Sequence, residues 1–128
     1  MNDEFIENQK IAQDFLGAIR NGDVDAISSL LHQDCVVWHS TDGICMTHSE
    51  VVKWAGIFQS SAIINELLLG RYDDLPNGFL QKYHFSGQIV DGPTLDFDGL
   101  LVAEISHGQI IKLDEWLDHG AMAAFAAG

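Results

Sequence analysis

The acidic side chain best placed to do chemistry is Glu115, which lies near the end of a strand-like segment. Side chains of a β-strand alternate between its two faces. One face of this segment therefore carries Ile111, Leu113, Glu115 and Leu117. A carboxyl group among apolar neighbours loses hydration, which raises its pKa towards the range where it can exchange protons near neutral pH. We therefore predict that Glu115 is a general acid or base and that Leu113 lies beside it. Two alternatives stay open: Glu115 reaches solvent or a surface lysine, or a shift of one residue puts Asp114 in its place.

No motif for a metal or a cofactor accompanies this acid. The six histidines and two cysteines form neither an HExxH nor a CxxC pattern. The histidines are His32, His39, His48, His84, His107 and His119. The runs GxGxxG, GxxxxGK and GxSxG, typical of nucleotide-binding loops and serine hydrolases, are also missing. The sequence therefore predicts chemistry without metal or cofactor.

The composition favours one acidic domain that spans residues 1–128. The chain is 47% hydrophobic, and its 19 Asp and Glu against 6 Lys and Arg give a formal net charge of −13. Nucleic acids and anionic membranes repel such a charge. The first ten residues do not resemble a secretion signal, and no segment reaches the ~20 apolar residues of a membrane helix. We expect a cytoplasmic protein that binds neither nucleic acid nor membranes.

Three helices should come first, interrupted by one strand, and four strands should follow. Apolar residues at helical spacing predict a helix over 5–20 and a short helix after Asp23. A strand is predicted over 35–39, and the capping-box spacing of Thr47 and Glu50 begins the third helix. The predicted strands over 63–72, 79–90, 95–105 and 110–117 are separated by short turns. Such short connections require consecutive strands to pair antiparallel.

This order of elements resembles the nuclear transport factor 2-like superfamily, and especially its SnoaL-like polyketide cyclases, limonene-epoxide hydrolases and steroid isomerases. The local sequences that carry the resemblance are VVWH at 36–39, SEVV at 49–52, GQII at 108–111 and EWLD at 115–118. The resemblance covers nearly the whole chain. It implies an α+β fold, cystatin-like in outline, in which a cone-shaped, curved antiparallel β-sheet packs against three helices and encloses a pocket.

The resemblance also implies roles for individual residues. Glu115 falls where these cyclases and hydrolases carry a pocket acid, and Lys82 and His84 fall where the epoxide hydrolases hold an Arg and an Asp. His84 in place of the Asp removes the hydrolases' carboxylate relay, but a histidine and a glutamate could still exchange a proton. The structural alternatives are a histidine that bonds to a backbone or hydroxyl group and a solvated lysine.

Further residues are expected to line the pocket. Ser40 lies near the position of the steroid isomerases' base and, because a serine cannot be that base, is expected to hydrogen-bond to substrate or water. Trp38 shares the face of Ser40 in the first strand, and Trp54 and Phe97 are apolar lining candidates. A large aromatic side chain in any of these places can also be plain core.

Two functions from different classes follow. The first is a cofactor-independent enzyme that catalyses isomerisation, dehydration, cyclisation or water addition on a small hydrophobic molecule, with Glu115 and His84 as catalytic groups. The second is a non-catalytic dimeric module that holds a small ligand or a peptide. A homodimer is expected in either case, because an apolar patch on the second sheet face would need cover. The predicted patch is Tyr83, Phe85, Leu100, Val102 and Trp116.

Overall fold

The computed structural model describes residues 3–118 of the chain and the side chains from residue 7 onward. Its elements follow the predicted order, with one short extra strand. They are α1 (Asp3–Asn21), α2 (Val24–Leu30), β1 (Leu31–His39), β2 (Cys45–Met46), α3 (His48–Ser61), β3 (Ala62–Leu75), β4 (Gly78–Ile89), β5 (Thr94–Ser106) and β6 (Gln109–Leu117). None of the helices within residues 3–118 is both long enough and apolar enough to cross a membrane.

The helix boundaries have local causes that the sequence carries. After α1 ends, Gly22 adopts a φ of 66°, a left-handed conformation that favours glycine. The side chain of Asp23 then accepts a hydrogen bond of 3.1 Å from the backbone of Ala26 at the start of α2. At α3, Thr47 and Glu50 form the predicted capping box.

The sheet is mixed, which corrects the expectation of a purely antiparallel sheet. Its six strands lie in the order β2-β1-β6-β5-β4-β3. The meander from β3 to β6 is antiparallel, as predicted. However, β1 pairs in parallel with β6, and β2 folds back on β1 as a hairpin. The parallel pair is consistent with the long connection between the two strands, which contains α3 and the first three strands of the meander.

One face of the sheet, here called the inner face, packs against the helices and forms the core. On β4 this face carries Phe79, Gln81, Tyr83 and Phe85, and on β5 it carries Leu95, Phe97, Leu101 and Ala103, all of them buried. The residues between them, including Lys82 and His84, point to the opposite, outer face. The α+β architecture predicted from the sequence is therefore confirmed.

Irregularities in two strands adjust which residues reach the inner face. The pairing of β5 with β6 shifts register at Ile111, so Ile110 is fully buried, although alternation predicts Ile111 for this face. In β3 the register shifts between Leu69 and Tyr72. There the buried amide of Gln81 donates hydrogen bonds to the carbonyl groups of Gly70 and Arg71, at 3.2 and 3.3 Å. Gln81 thus satisfies backbone groups of this irregular segment.

Candidate functional site

A cavity of about 70 Å³ lies between the inner face of the sheet and the helices. We call it the inner cavity. Nearly all its walls are apolar, and they come from all three helices and from strands β3 to β6. Among the lining residues that the structure describes, the only ionisable groups are the carboxyl of Glu115 and the phenol of Tyr83. The cavity therefore presents one carboxylate to any small molecule bound there.

Glu115 is held beside a histidine that the sequence reasoning did not choose. His39 on β1 pairs directly with Glu115 on β6 in the parallel register. Its Nε2 lies 3.4 Å from Oε1 of Glu115, and the two side chains are only 13% and 12% exposed. The short distance and the burial bring the imidazole and the carboxylate together in a region with little water to screen them.

This environment raises the pKa of His39. Burial on its own lowers that pKa, but the interaction with Glu115 and the negative charge of Asp42 together outweigh burial. The pKa of the Tyr83 phenol is also raised, well above its usual range. Burial is the larger cause, and the charge of Glu115 adds to it. Near neutral pH, Tyr83 is thus a neutral hydrogen-bond donor, while His39 has an increased tendency to carry a proton.

Aromatic rings form a continuous wall beside the acid. The ring of Trp54 lies 6.1 Å from that of His39 and stacks on Phe58 at 5.2 Å. Phe58 contacts Phe85 at 5.9 Å, and Phe85 stacks on Phe97 at 5.0 Å. Trp54 and Phe97 line the inner cavity together with Glu115, in agreement with their predicted positions. Leu113 is buried on the same face of β6 but is not one of the lining residues.

Lys82 and His84 do not meet Glu115, which corrects the predicted grouping of the three. Both residues lie on the outer face, where Nδ1 of His84 is 2.7 Å from Asp98 and its Nε2 is 2.8 Å from Asp96. The hydrogen bond to Asp98 is the main cause of the raised pKa of His84. The physical reason is side-chain alternation: Tyr83 and Phe85 occupy the inner face, so their neighbours must point outwards.

Trp38 and Ser40 also lie outside the inner cavity. The ring of Trp38 makes an edge contact of 4.9 Å with Trp116, which is 48% exposed on the outer face. Ser40 ties the end of β1 to β6, because its Oγ accepts a 2.9 Å hydrogen bond from the backbone of Leu117. Its own backbone N–H donates to the carbonyl of Glu115 at 2.9 Å. Ser40 therefore fixes the backbone that carries the acid.

The sequence did contain a signal for His39. Along β1, Cys35 and Val37 are small and apolar, and His39 follows them on the same face. In the structure Cys35 and Val37 are buried, which shows that this face belongs to the core. The resemblance to the superfamily instead favoured the opposite face of β1, which carries Trp38 and Ser40.

Within residues 3–118, no group of three or more His, Cys, Asp or Glu side chains could hold a metal ion. The two cysteines are free, with Cys35 buried and Cys45 exposed. His119 lies outside the described residues. What the described residues provide is a carboxylate that lines an apolar cavity, with a largely buried imidazole beside it.

No protein-family model matches the sequence, and no curated protein matches it either. The fold, in contrast, is shared with many solved structures. A limonene-epoxide-hydrolase-like epoxide hydrolase from M. tuberculosis has a TM-score of 0.79 at 18% identity, over 97% of this chain and 96% of the other. A protein of ketosteroid isomerase-like fold from Catenulispora acidiphila, solved with trimethylamine, has a TM-score of 0.78 at 12% identity, over 89% and 90% of the two chains.

A nuclear transport factor 2-like protein from Burkholderia xenovorans is similar over 93% of this chain and 95% of its own, with a TM-score of 0.76 and 16% identity. At these identities the likeness establishes the fold. The chain has the nuclear transport factor 2-like fold, as its resemblance to that superfamily predicted. Because this fold carries several unrelated activities, the function must be argued from the site itself.

Proposed function

We propose that the protein is a cofactor-independent enzyme that moves a proton on a small, largely apolar molecule bound in the inner cavity. Glu115 is the acid or base, and His39 is the residue that positions it. The observation that carries the proposal is the isolation of Glu115: among the described residues it is the only carboxylate that lines this largely apolar cavity, and an imidazole lies 3.4 Å away. The epoxide hydrolase of the same fold is consistent with this class of chemistry.

The two groups suit a simple proton transfer. In the starting state the raised pKa of His39 favours an imidazolium that balances the Glu115 carboxylate. Glu115 then takes a proton from the bound molecule and returns it to another atom, or to a leaving oxygen. The first outcome is an isomerisation and the second a dehydration. The neutral phenol of Tyr83 is a donor that can stabilise negative charge on the substrate as it develops.

A generic carbon acid tests the proposal before a substrate is known. Butanone in D₂O exchanges its α-protons when a base removes them, and NMR follows the exchange. We expect the wild-type protein to accelerate this exchange, and Glu115→Gln to reduce the enzymatic rate by roughly 10²- to 10⁴-fold. His84→Gln is the matched control, because His84 lies on the outer face, and its rate should equal that of the wild type. Equal rates for Glu115→Gln and the wild type would contradict the proposal.

The alternative is a ligand-binding module without catalysis, and the small apolar cavity is compatible with it. Binding and turnover separate the two. A binding module would retain a co-purified or added small molecule, accelerate no exchange of butanone, and show no change in rate for Glu115→Gln.

We also propose that the protein is a homodimer, with a second copy covering the outer face. Large apolar side chains lie there at or near the surface. They are Val36, Trp38, Leu68, Leu100 and Trp116, of which Val36, Leu68 and Trp116 are about half exposed. Tyr83 and Phe85, which were expected on this face, are buried on the inner face instead. The patch supporting a dimer therefore differs in composition from the one predicted.

A further inference from the structure

A second hollow of about 180 Å³ adjoins the inner cavity at the surface. We call it the vestibule. It lies where α1 and α3 end, and it shares four lining residues with the inner cavity. These are Ile19, Gly22, Phe58 and Gln59. The shared walls make the two spaces neighbours, with the side chain of Gln59 at their boundary.

Gly22 allows Gln59 to occupy this boundary. A Cβ atom at position 22 would lie 2.8 Å from Cγ of Gln59, which is closer than real Cβ contacts come. Gly22 also has a φ of 66°, which side chains rarely tolerate. The backbone at the end of α1 thus leaves room for a glutamine side chain between the vestibule and the inner cavity.

The vestibule has one charged group among its described lining residues, the guanidinium of Arg20. Asn21 and Gln59 also line it, with amides that both donate and accept hydrogen bonds. None of the described lining residues is an Asp or a Glu, in a chain with 19 acidic residues and a net charge of −13. Arg20, like the three lysines at positions 53, 82 and 112, has no carboxylate partner among the described residues, whereas Lys10 and Arg71 have one each. A structural explanation also exists, because a cation in the last turn of a helix complements the helix dipole.

The small volume of the inner cavity implies that a bound ligand extends out of it. An apolar cavity of about 150 Å³ holds one benzene ring. At about 70 Å³, the inner cavity has room for a short aliphatic group and not for a whole ring. The remainder of a ligand would have to lie in the vestibule, against Arg20.

We propose that the ligand is a small apolar acid that enters between the ends of α1 and α3, so that its aliphatic part reaches Glu115 and its anionic group binds Arg20. The inference rests on the proposed use of the inner cavity as the ligand site, but not on catalysis. Arginine recognises carboxylates through paired, charge-assisted hydrogen bonds. Gln59 stands at the passage and limits the width of what enters.

Two probes of the same shape test the role of charge. Pentanoate and pentanamide differ in the charge of the head group, and NMR titration measures the affinity of each. We expect wild-type protein to bind pentanoate about tenfold more tightly than pentanamide, because one charge-assisted bond is worth roughly that factor. Arg20→Gln should reduce the difference to less than about twofold, and Arg20→Lys should keep part of it. Arg71→Gln is the matched control and should keep the full preference.

A substitution at Gln59 tests the proposed passage between the vestibule and the inner cavity. Gln59→Trp places a larger side chain between the two hollows and should weaken both probes at least tenfold with little change in thermal stability. Equal affinity for the two probes, a preference that survives in Arg20→Gln, or unimpaired binding to Gln59→Trp would overturn the inference, as would the failure of wild-type protein to bind either probe. Loss of thermal stability in Arg20→Gln without loss of preference would assign Arg20 to the helix end.

These outcomes are independent of the proposed catalysis. Glu115→Gln retains the preference for pentanoate if the vestibule binds the anion, whether or not butanone exchanges its protons. Proton exchange without a charge preference would support the enzyme and reject the acid ligand.

Discussion

At the scale of single residues, the site depends on His39 and Glu115. Their direct pairing in neighbouring strands brings the two groups to 3.4 Å, and their burial makes that contact electrostatically strong. A histidine whose pKa is raised on folding binds its proton more tightly in the folded protein than in the unfolded chain. The free energy of unfolding must therefore depend on pH through His39.

The sign of this dependence follows from the direction of the pKa change. In the unfolded chain His39 titrates near its ordinary value of about 6.5, and in the folded protein its pKa is higher. The stabilisation is fully present below the unfolded value and is lost as the pH rises through the folded one. We expect wild-type protein to exceed His39→Gln in unfolding free energy by about 1 to 2 kcal/mol at mildly acidic pH, and by less above neutrality.

Urea denaturation of both proteins across this pH range measures the difference. The raised pKa of His84 contributes with the same sign, but it is present in both proteins and cancels. A difference that stays constant or grows with rising pH would show that Glu115 does not favour the protonated form of His39.

The sequence alone predicted Glu115 as the acid or base, but it did not predict His39 as the partner of Glu115. The acid could be predicted because a charge on an apolar face is visible in one strand alone. Choosing His39 over His84 required knowing which face of β1 and of β4 points inwards, and alternation gives two faces without saying which is inner. For β4 the aromatic pair Tyr83 and Phe85 was the better guide, because large apolar side chains are the ones a core buries.

At the scale of elements, local signals defined the strands and helices, but long-range pairing did not appear in the sequence. The glycine after α1 and the capping box of α3 are encoded within a few residues, and the capping box was predicted. The parallel pairing of β1 with β6 joins residues more than 70 positions apart. It is that pairing, fixed by Ser40, which brings His39 to Glu115.

Gly99 on β5 shows how an element shapes the cavity. A Cβ atom there would overlap Cζ of Tyr83, because the ring of Tyr83 lies directly over the glycine. Gly99→Ala should displace the ring and destabilise the fold by about 1 to 3 kcal/mol, as overpacking usually does. Because Tyr83 lines the inner cavity, binding of pentanamide should weaken as well.

Gly56 in α3 provides the contrast, since nothing lies within 4 Å of a Cβ atom there. Gly56→Ala should stabilise the protein by roughly 0.5 to 1 kcal/mol, because alanine loses less conformational entropy in a helix. Thermal and urea unfolding check both variants. A stabilised Gly99→Ala protein would mean that the ring of Tyr83 does not need the space above the glycine.

At the scale of the whole molecule, the two faces of the sheet differ in what they contact and in what they expose. The inner face and the helices enclose the acid, while the outer face exposes Trp116 beside charged groups such as His84 and Asp98. Tryptophan is enriched at protein interfaces, and isolated monomers rarely keep large apolar patches uncovered. A two-fold symmetric contact through this face would bury Trp116 of both copies without closing the vestibule between α1 and α3.

The proposed dimer can be tested by its mass, by substitutions on the outer face and by the effect of salt on dissociation. Sedimentation of wild-type protein at micromolar concentration should give twice the chain mass of 14.1 kDa. Leu68→Lys, on the outer face of the edge strand β3, should give a monomer, because an unpaired charge at an apolar interface costs several kcal/mol. Ile57→Lys is the control: Ile57 is 51% exposed on α3, away from the patch, and its lysine variant should stay dimeric.

Since each copy carries a formal charge of −13, association brings like charges together. Dissociation should therefore become weaker as salt rises and the screening length falls towards ~10 Å at 0.1 M. A wild-type monomer, or a dimer that Leu68→Lys leaves intact, would mean that the outer face is not the interface.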